Sequence, residues 1–125
     1  MLLQLDFSCE IPIYMQIRNQ IVLGIANQTL LPGERLPTIR ALANEAGINM
    51  MTVNKAYQLL KQEGYILADR RNGAVVNGRM NPSLLSDKMK SGFRLLISEA
   101  KLNGFSKEDV LKLCGELYDE REDPV

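Results

Sequence analysis

Residues 32–64 read PGERLPTIRALANEAGINMMTVNKAYQLLKQEG, and the spacing of apolar side chains there predicts two short helices around a tight turn. Thr38 can cap the first, because its hydroxyl can accept a hydrogen bond from a first-turn amide that has no partner inside the helix. Ile39, Leu42, Ala43 and Ala46 then recur at the 3.6-residue period and form one apolar stripe. Gly47 suits the left-handed position that ends a helix. Asn49 can cap a second helix, with Val53, Ala56, Tyr57 and Leu60 as its stripe and Gly64 as its stop. Two helices so closely joined must cross steeply, as a helix-turn-helix does. The small Ala43 permits close approach, while Ile48 and Val53 fill the corner. The other face of the second helix carries Met51, Asn54, Lys55, Gln58 and Lys61, polar and basic with no acid. Such a face suits the major groove of DNA.

Working outward, residues 1–8 read as a short extended arm and residues 11–27 as a helix. Ile13, Ile17, Ile21 and Ile25 share one face of it, with Tyr14 alongside. The two motif helices need this third one to bury their stripes. Pro32 and Gly33 mark a turn, and residues 34–36 can form a brief strand. Beyond Gly64, apolar runs at 65–68 and 74–76 flank Asp69-Arg70-Arg71-Asn72-Gly73. Asn-Gly is a strong hairpin signal because both residues tolerate positive φ. Its off-centre place predicts a loop of four or five residues. A hairpin after a recognition helix is a wing, and Arg70 and Arg71 at its tip suit phosphate or the minor groove. An ordinary solvated turn is the alternative.

From residue 12 to residue 76 the chain begins PIYMQI, passes through PGERLPTIRALANEAGI and TVNKAY, and closes with LKQEGYI and NGAVV. This run, about half the chain, resembles the winged helix-turn-helix domain of GntR-type bacterial transcription regulators. The resemblance implies that Thr38 and Arg40 open the first motif helix and contact the DNA backbone. Pairing with Glu45 is the other use open to Arg40. It further implies that Thr52 is the hydroxyl of the recognition helix, Gly73 the wing-tip glycine, and Tyr57 chiefly a core aromatic. Arg35, Asn49, Met50, Met51, Asn54, Lys55, Arg70, Arg71 and Asn72 complete the candidate DNA-contacting set. Two departures bear on base preference. The family commonly has Arg where this chain has Met50, and often a basic residue where it has Asn54. Its wing usually reads Gly-x-Gly-Thr, where this chain reads Arg71-Asn72-Gly73-Ala74.

Residues 77–81 read as a linker, and Asn81-Pro82 as an N-cap followed by proline in the first turn. Leu85, Met89, Phe93, Leu96 and Ala100 then form a stripe on a helix ending near Gly104. Ser106 and Asp109 have the spacing of a capping box. It opens a last helix with Val110, Leu113, Cys114, Leu117 and Tyr118 on one side. Two helices of roughly 20 and 13 residues cannot close a core alone. Their stripes need either the winged domain or a second copy of the chain. A tail this short resembles the YtrA-like subfamily, where it is a helical dimerisation unit. The expected plan is a DNA-binding domain at 1–76 and a dimerisation segment at 82–125, mostly α with one β-hairpin.

Among the 125 residues there are as many basic as acidic side chains, so partners are judged from where the charge lies. Residues 35–80 hold seven basic and three acidic residues, and residues 81–125 hold seven and nine. A basic reading unit with a slightly acidic appendage follows. No apolar run reaches the ~18 residues of a membrane span. The start MLLQLDFSCE lacks a positive leader region, so a cytoplasmic protein without membrane partners is expected. Cys9 and Cys114 are too few for a disulfide framework or metal site. There is no histidine to act as base or ligand, and no phosphate loop or nucleophile elbow. Neither catalysis nor a cofactor or metal is expected. The reading is a homodimeric, sequence-specific regulator, more often a repressor, on an inverted-repeat operator in double-stranded DNA. Two alternatives stay open. One is a winged helix used between proteins, and the other a sensor holding an unknown small-molecule effector among its last helices.

Overall fold

The computed structural model describes residues 3–71, 73–78 and 87–120. Asn72, Leu85, the Asn81-Pro82 start, part of the linker and residues 121–125 lie outside them. The chain divides into two compact units, Met1–Met80 and Asn81–Glu122.

In the first unit the elements run α1 (Ile13–Ala26), α2 (Ile39–Ala46), α3 (Met50–Glu63), β1 (Ile66–Asp69) and β2 (Gly73–Val76). Helix α1 begins at Ile13 rather than at residue 11. Pro12 sits extended before it with ψ of 148°, and a residue that precedes proline, here Ile11, is driven out of the helical region. Both motif helices start and stop at the residues named above. Thr38 Oγ1 accepts from the Ala41 amide at 3.0 Å, and Asn49 Oδ1 accepts from Met51 at 2.7 Å. Gly47 and Gly64 close the helices at φ of 69° and 86°.

The core forms where α3 packs on α1, α2 and β1 together. Ile17, Ile21, Val53, Ala56, Leu60 and Ile66 have no exposed surface. Burying each large aliphatic side chain contributes about 1.5–3 kcal/mol. Gly24 of α1 lets the following loop fold back closely. A Cβ there would lie 3.1 Å from Leu30 Cδ1, and the Gly24 carbonyl accepts from the Leu30 amide at 3.0 Å.

Strands β1 and β2 pair antiparallel, from Ile66 opposite Val76 to Asp69 opposite Gly73. The brief strand expected at 34–36 is a single bridge between Arg35 and Val75. It is held by Leu36 donating to the Ala74 carbonyl and Val76 donating to that of Glu34, both at 2.8 Å. The hairpin is thereby bound to the segment that leads into α2.

The arm is fastened in a way the sequence does not announce. Gln16 Oε1 accepts from the Asp6 amide at 2.8 Å. Gln16 Nε2 donates to the carbonyls of Asp6 and Ile11, each at 2.8 Å. One turn along α1, Gln20 exchanges the same kind of bond pair with Gln4. Two glutamines four residues apart thus act as the edge of a strand, satisfying backbone groups on alternate residues of the arm.

The second unit holds α4 (Asp87–Leu102) and α5 (Lys107–Asp119). Gly104, at φ of 87°, ends α4, with the Phe105 amide donating to the Ala100 carbonyl at 3.0 Å. Ser106 and Asp109 form a complete capping box. Bonds from Ser106 hold the Asp109 carboxyl below its usual pKa. Neither helix has a buried residue.

Replacing buried Gln16 with alanine is expected to cost about 1–3 kcal/mol, because three backbone groups lose their partner. Urea titration would read this as a lower midpoint, and Gln20→Ala, at the exposed pair, should cost less.

Candidate nucleic-acid interface

Helix α3 buries Val53, Ala56, Tyr57 and Leu60, so at 100° per residue the opposite face is turned to solvent. Met51 is 77% exposed and Met50 44%. Asn54, Lys55 and Gln58 are exposed, while Thr52 is half-buried. Met50 lies nearer in direction to Tyr57, yet it stays outside the core.

Three ties fix the face. The Tyr57 hydroxyl donates to the Pro37 carbonyl at 2.7 Å, joining α3 to the entry of α2. Burial raises the Tyr57 phenol far above its usual pKa, so it remains a neutral donor throughout the physiological range. Arg18 of α1 reaches the end of α3 with a two-pronged bond to Glu63, Nε to Oε1 at 2.9 Å and Nη2 to Oε2 at 2.8 Å. That bond raises the Arg18 pKa. Its guanidinium also lies 5.6 Å from the Tyr65 ring centroid. Third, Asn77 Nδ2 donates to the Gly64 carbonyl at 2.8 Å, tying the end of the wing to the end of α3.

Thr38 and Asn49 stand exposed at the starts of α2 and α3. Each spends an oxygen lone pair on capping, which leaves the Thr38 hydroxyl proton and the Asn49 amide protons to donate outward. Arg40 is exposed, and among the described residues it makes no ion pair with Glu45; the salt bridge there is Arg18–Glu63. Arg35 is exposed on the sheet edge.

At the wing, β1 ends at Asp69 and β2 resumes at Gly73. With Asp69 paired to Gly73, the connection is shorter than the four or five residues expected. Asp69 Oδ1 accepts from the Arg71 amide at 2.8 Å, and Gly73 at φ of 74° closes the turn, a common way to finish a three-residue hairpin. Arg70, Arg71 and Gly73 are exposed.

A contact that the sequence reading missed links α1 to the exposed face of α3. Lys55 Nζ lies 4.1 Å from the ring centroid of Tyr14, on α1. No local spacing could reveal a pair from two different helices.

In the second unit, Met89, Phe93, Leu96, Leu113, Cys114 and Leu117 are exposed and Ala100 and Val110 half-buried. Leu95, Ile97, Leu102, Phe105, Leu111 and Tyr118 are exposed as well.

Three helices, the last two joined by a tight turn, with a hairpin bound to the segment before them, define a winged helix-turn-helix. Residues 13–76 match the family described as "Bacterial regulatory proteins, gntR family", and the chain belongs to it. Over 110 residues the chain is 33% identical to "HTH-type transcriptional repressor YtrA" of Bacillus subtilis, covering 86% of this chain and 85% of that protein. The structure resembles YtrA from Sulfolobus acidocaldarius, a GntR-family transcription factor, at 35% identity with a TM-score of 0.60, covering 92% and 95% of the two chains. It also resembles a transcriptional antiterminator from Listeria monocytogenes EGD-e at 25% identity with a TM-score of 0.84, covering 100% and 96%. Members of the family are DNA-binding transcription regulators, not enzymes. Among the described residues no helix is long and apolar enough to cross a membrane.

Proposed function

We propose that this chain is a homodimeric repressor that reads an inverted-repeat operator in the cytoplasm. The observation that carries the dimer is the apolar surface of α4 and α5. Phe93, Leu96, Leu113 and Leu117 are each more than half exposed on helices that bury nothing. Isolated apolar side chains are normal on a surface, but repeated rows of them mark an interface. A second copy would cover the rows by two-fold symmetry and set two α3 helices about one turn of DNA apart, or a small multiple of it. Residues 1–76 would then read DNA, residues 77–81 link, and residues 82–125 assemble. A dimer seated on a promoter represses simply by occupying it, which accords with the repressor among its relatives.

On each half-site, α3 enters the major groove with Met50, Met51, Thr52, Asn54 and Lys55. Arg35, Thr38, Arg40 and Asn49 meet the backbone, and the wing tip with Arg70, Arg71, Asn72 and Gly73 reaches phosphate or the minor groove. Any small-molecule effector would act through the dimer, since α4 and α5 are too short to enclose a sizeable site.

Light scattering should find a dimer at micromolar concentration; a monomer there refutes this assembly.

Arginine-to-alanine changes at Arg40, Arg70 or Arg71 should weaken specific and random duplexes alike. Each should reduce the salt slope of binding by about 0.9 per lost phosphate contact. Three unchanged slopes would mean that another face meets DNA.

Methionines at the entering end of α3 cannot make the paired bonds to guanine that arginine makes, but they can press on thymine methyls. Asn54 has the donor and acceptor that match adenine. Selection from a randomised pool should yield half-sites rich in A·T. Met50→Arg should move one position toward guanine by roughly 1–3 kcal/mol. A G·C-rich wild-type consensus, or one that Met50→Arg leaves unmoved, contradicts this.

A further inference from the structure

Lys55 has no acidic neighbour one turn away on its own helix, where Met51, Thr52, Gln58 and Leu59 stand. What faces its ammonium instead is the ring of Tyr14, 4.1 Å from Nζ to the centroid. Tyr14 is half-buried and packs against the core, so the ring is held by the scaffold. Its hydroxyl makes no hydrogen bond among the described residues, unlike that of Tyr57. The face of the ring is therefore the part of Tyr14 engaged with α3.

An ammonium on a four-carbon stem normally samples many rotamers, and a partner that captures it pays for ordering it. A cation over an aromatic face is attracted by the ring quadrupole. The ring also leaves other N–H donors of the ammonium pointing away. We propose that Tyr14 is a positioning residue of the DNA interface, holding the Lys55 ammonium over its ring so that it meets the DNA backbone already placed. The proposal rests on reading α3 as the recognition helix, and it extends the interface to a residue of the scaffold helix that has no direct role in base reading. Its effect on DNA binding runs through Lys55.

The test uses the full chain and a duplex selected by the wild type from a random pool, with thermal stability followed in parallel. Tyr14→Leu should weaken binding about two- to fivefold, the range a partly exposed cation–ring contact supplies. Tyr14→Phe keeps the ring and should bind like the wild type. Lys55→Gln should weaken binding and lower the salt slope by about one phosphate contact. Adding Tyr14→Leu to Lys55→Gln should then change nothing further. Equal losses from Tyr14→Leu in both backgrounds, or a loss with Tyr14→Phe as large as with Leu, overturn the proposal. If Lys55→Gln alters neither affinity nor slope in a chain that still binds, the proposal falls together with the reading of α3. The additive outcome, by contrast, leaves that reading intact. Should Tyr14→Leu fail to fold, proton NMR of the wild type and Tyr14→Phe decides. The ring must shift the Lys55 ε-methylene protons upfield in both, and unshifted resonances overturn the proposal.

Discussion

The apolar side of α3, Val53, Ala56, Tyr57 and Leu60, is buried against α1, α2 and β1 at once, and everything that turns outward depends on it. A helix of 14 residues is marginal alone in water. Here its stability comes from tertiary burial, and that burial also fixes its rotation. The 3.6-residue period then leaves no freedom about which residues face solvent. Because Val53 and Tyr57 point in, Met51, Asn54, Lys55 and Gln58 must point out. The exposed face of α3 is thus a by-product of core packing, which sets the helix's rotation.

Rotation alone does not set the position of α3 along its axis. That falls to polar ties along it, from Tyr57 to Pro37 at its middle and from Arg18 to Glu63 at its last residue. The Arg18–Glu63 pair is shielded enough to matter and open enough to avoid a large desolvation penalty. The Arg18 and Glu63 side chains are each about one-fifth exposed, between the surface pairs worth little and the buried pairs that cost more than they return. Asn77 fastens the wing to the same helix end through Gly64. The hairpin and α3 therefore share one frame.

The parts of this arrangement that could be read from the sequence are those whose chemistry is local. Thr38, Asn49 and Ser106 act on amides two or three residues ahead, and Gly47, Gly64 and Gly104 take conformations costly to other residues. The apolar stripes repeat within a single helix. Illegible were contacts that join separate segments. Gln16 serving the arm, Arg18 reaching Glu63 and Lys55 resting on Tyr14 all depend on how the helices meet, which no spacing encodes. The wing loop was misjudged for a related reason. Asp69 looked like part of the turn, but as the last paired residue it also holds the Arg71 amide.

In the proposed DNA complex, the α3 surface divides two kinds of work between two kinds of residue. Met50, Met51 and Asn54 have short-range, directional or shape-dependent contacts to offer, useful only when a particular base edge is in place. Lys55 has a charge, which attracts any phosphate and gains little from fine orientation unless something else supplies it. A scaffold aromatic under that lysine supplies the orientation without adding an acid, which would repel DNA and cancel the charge. A carboxylate at the same place would hold Lys55 as firmly but would have to be displaced before the ammonium could serve a phosphate. The ring holds the cation while leaving its charge intact, and that property suits a surface that must stay basic until DNA arrives.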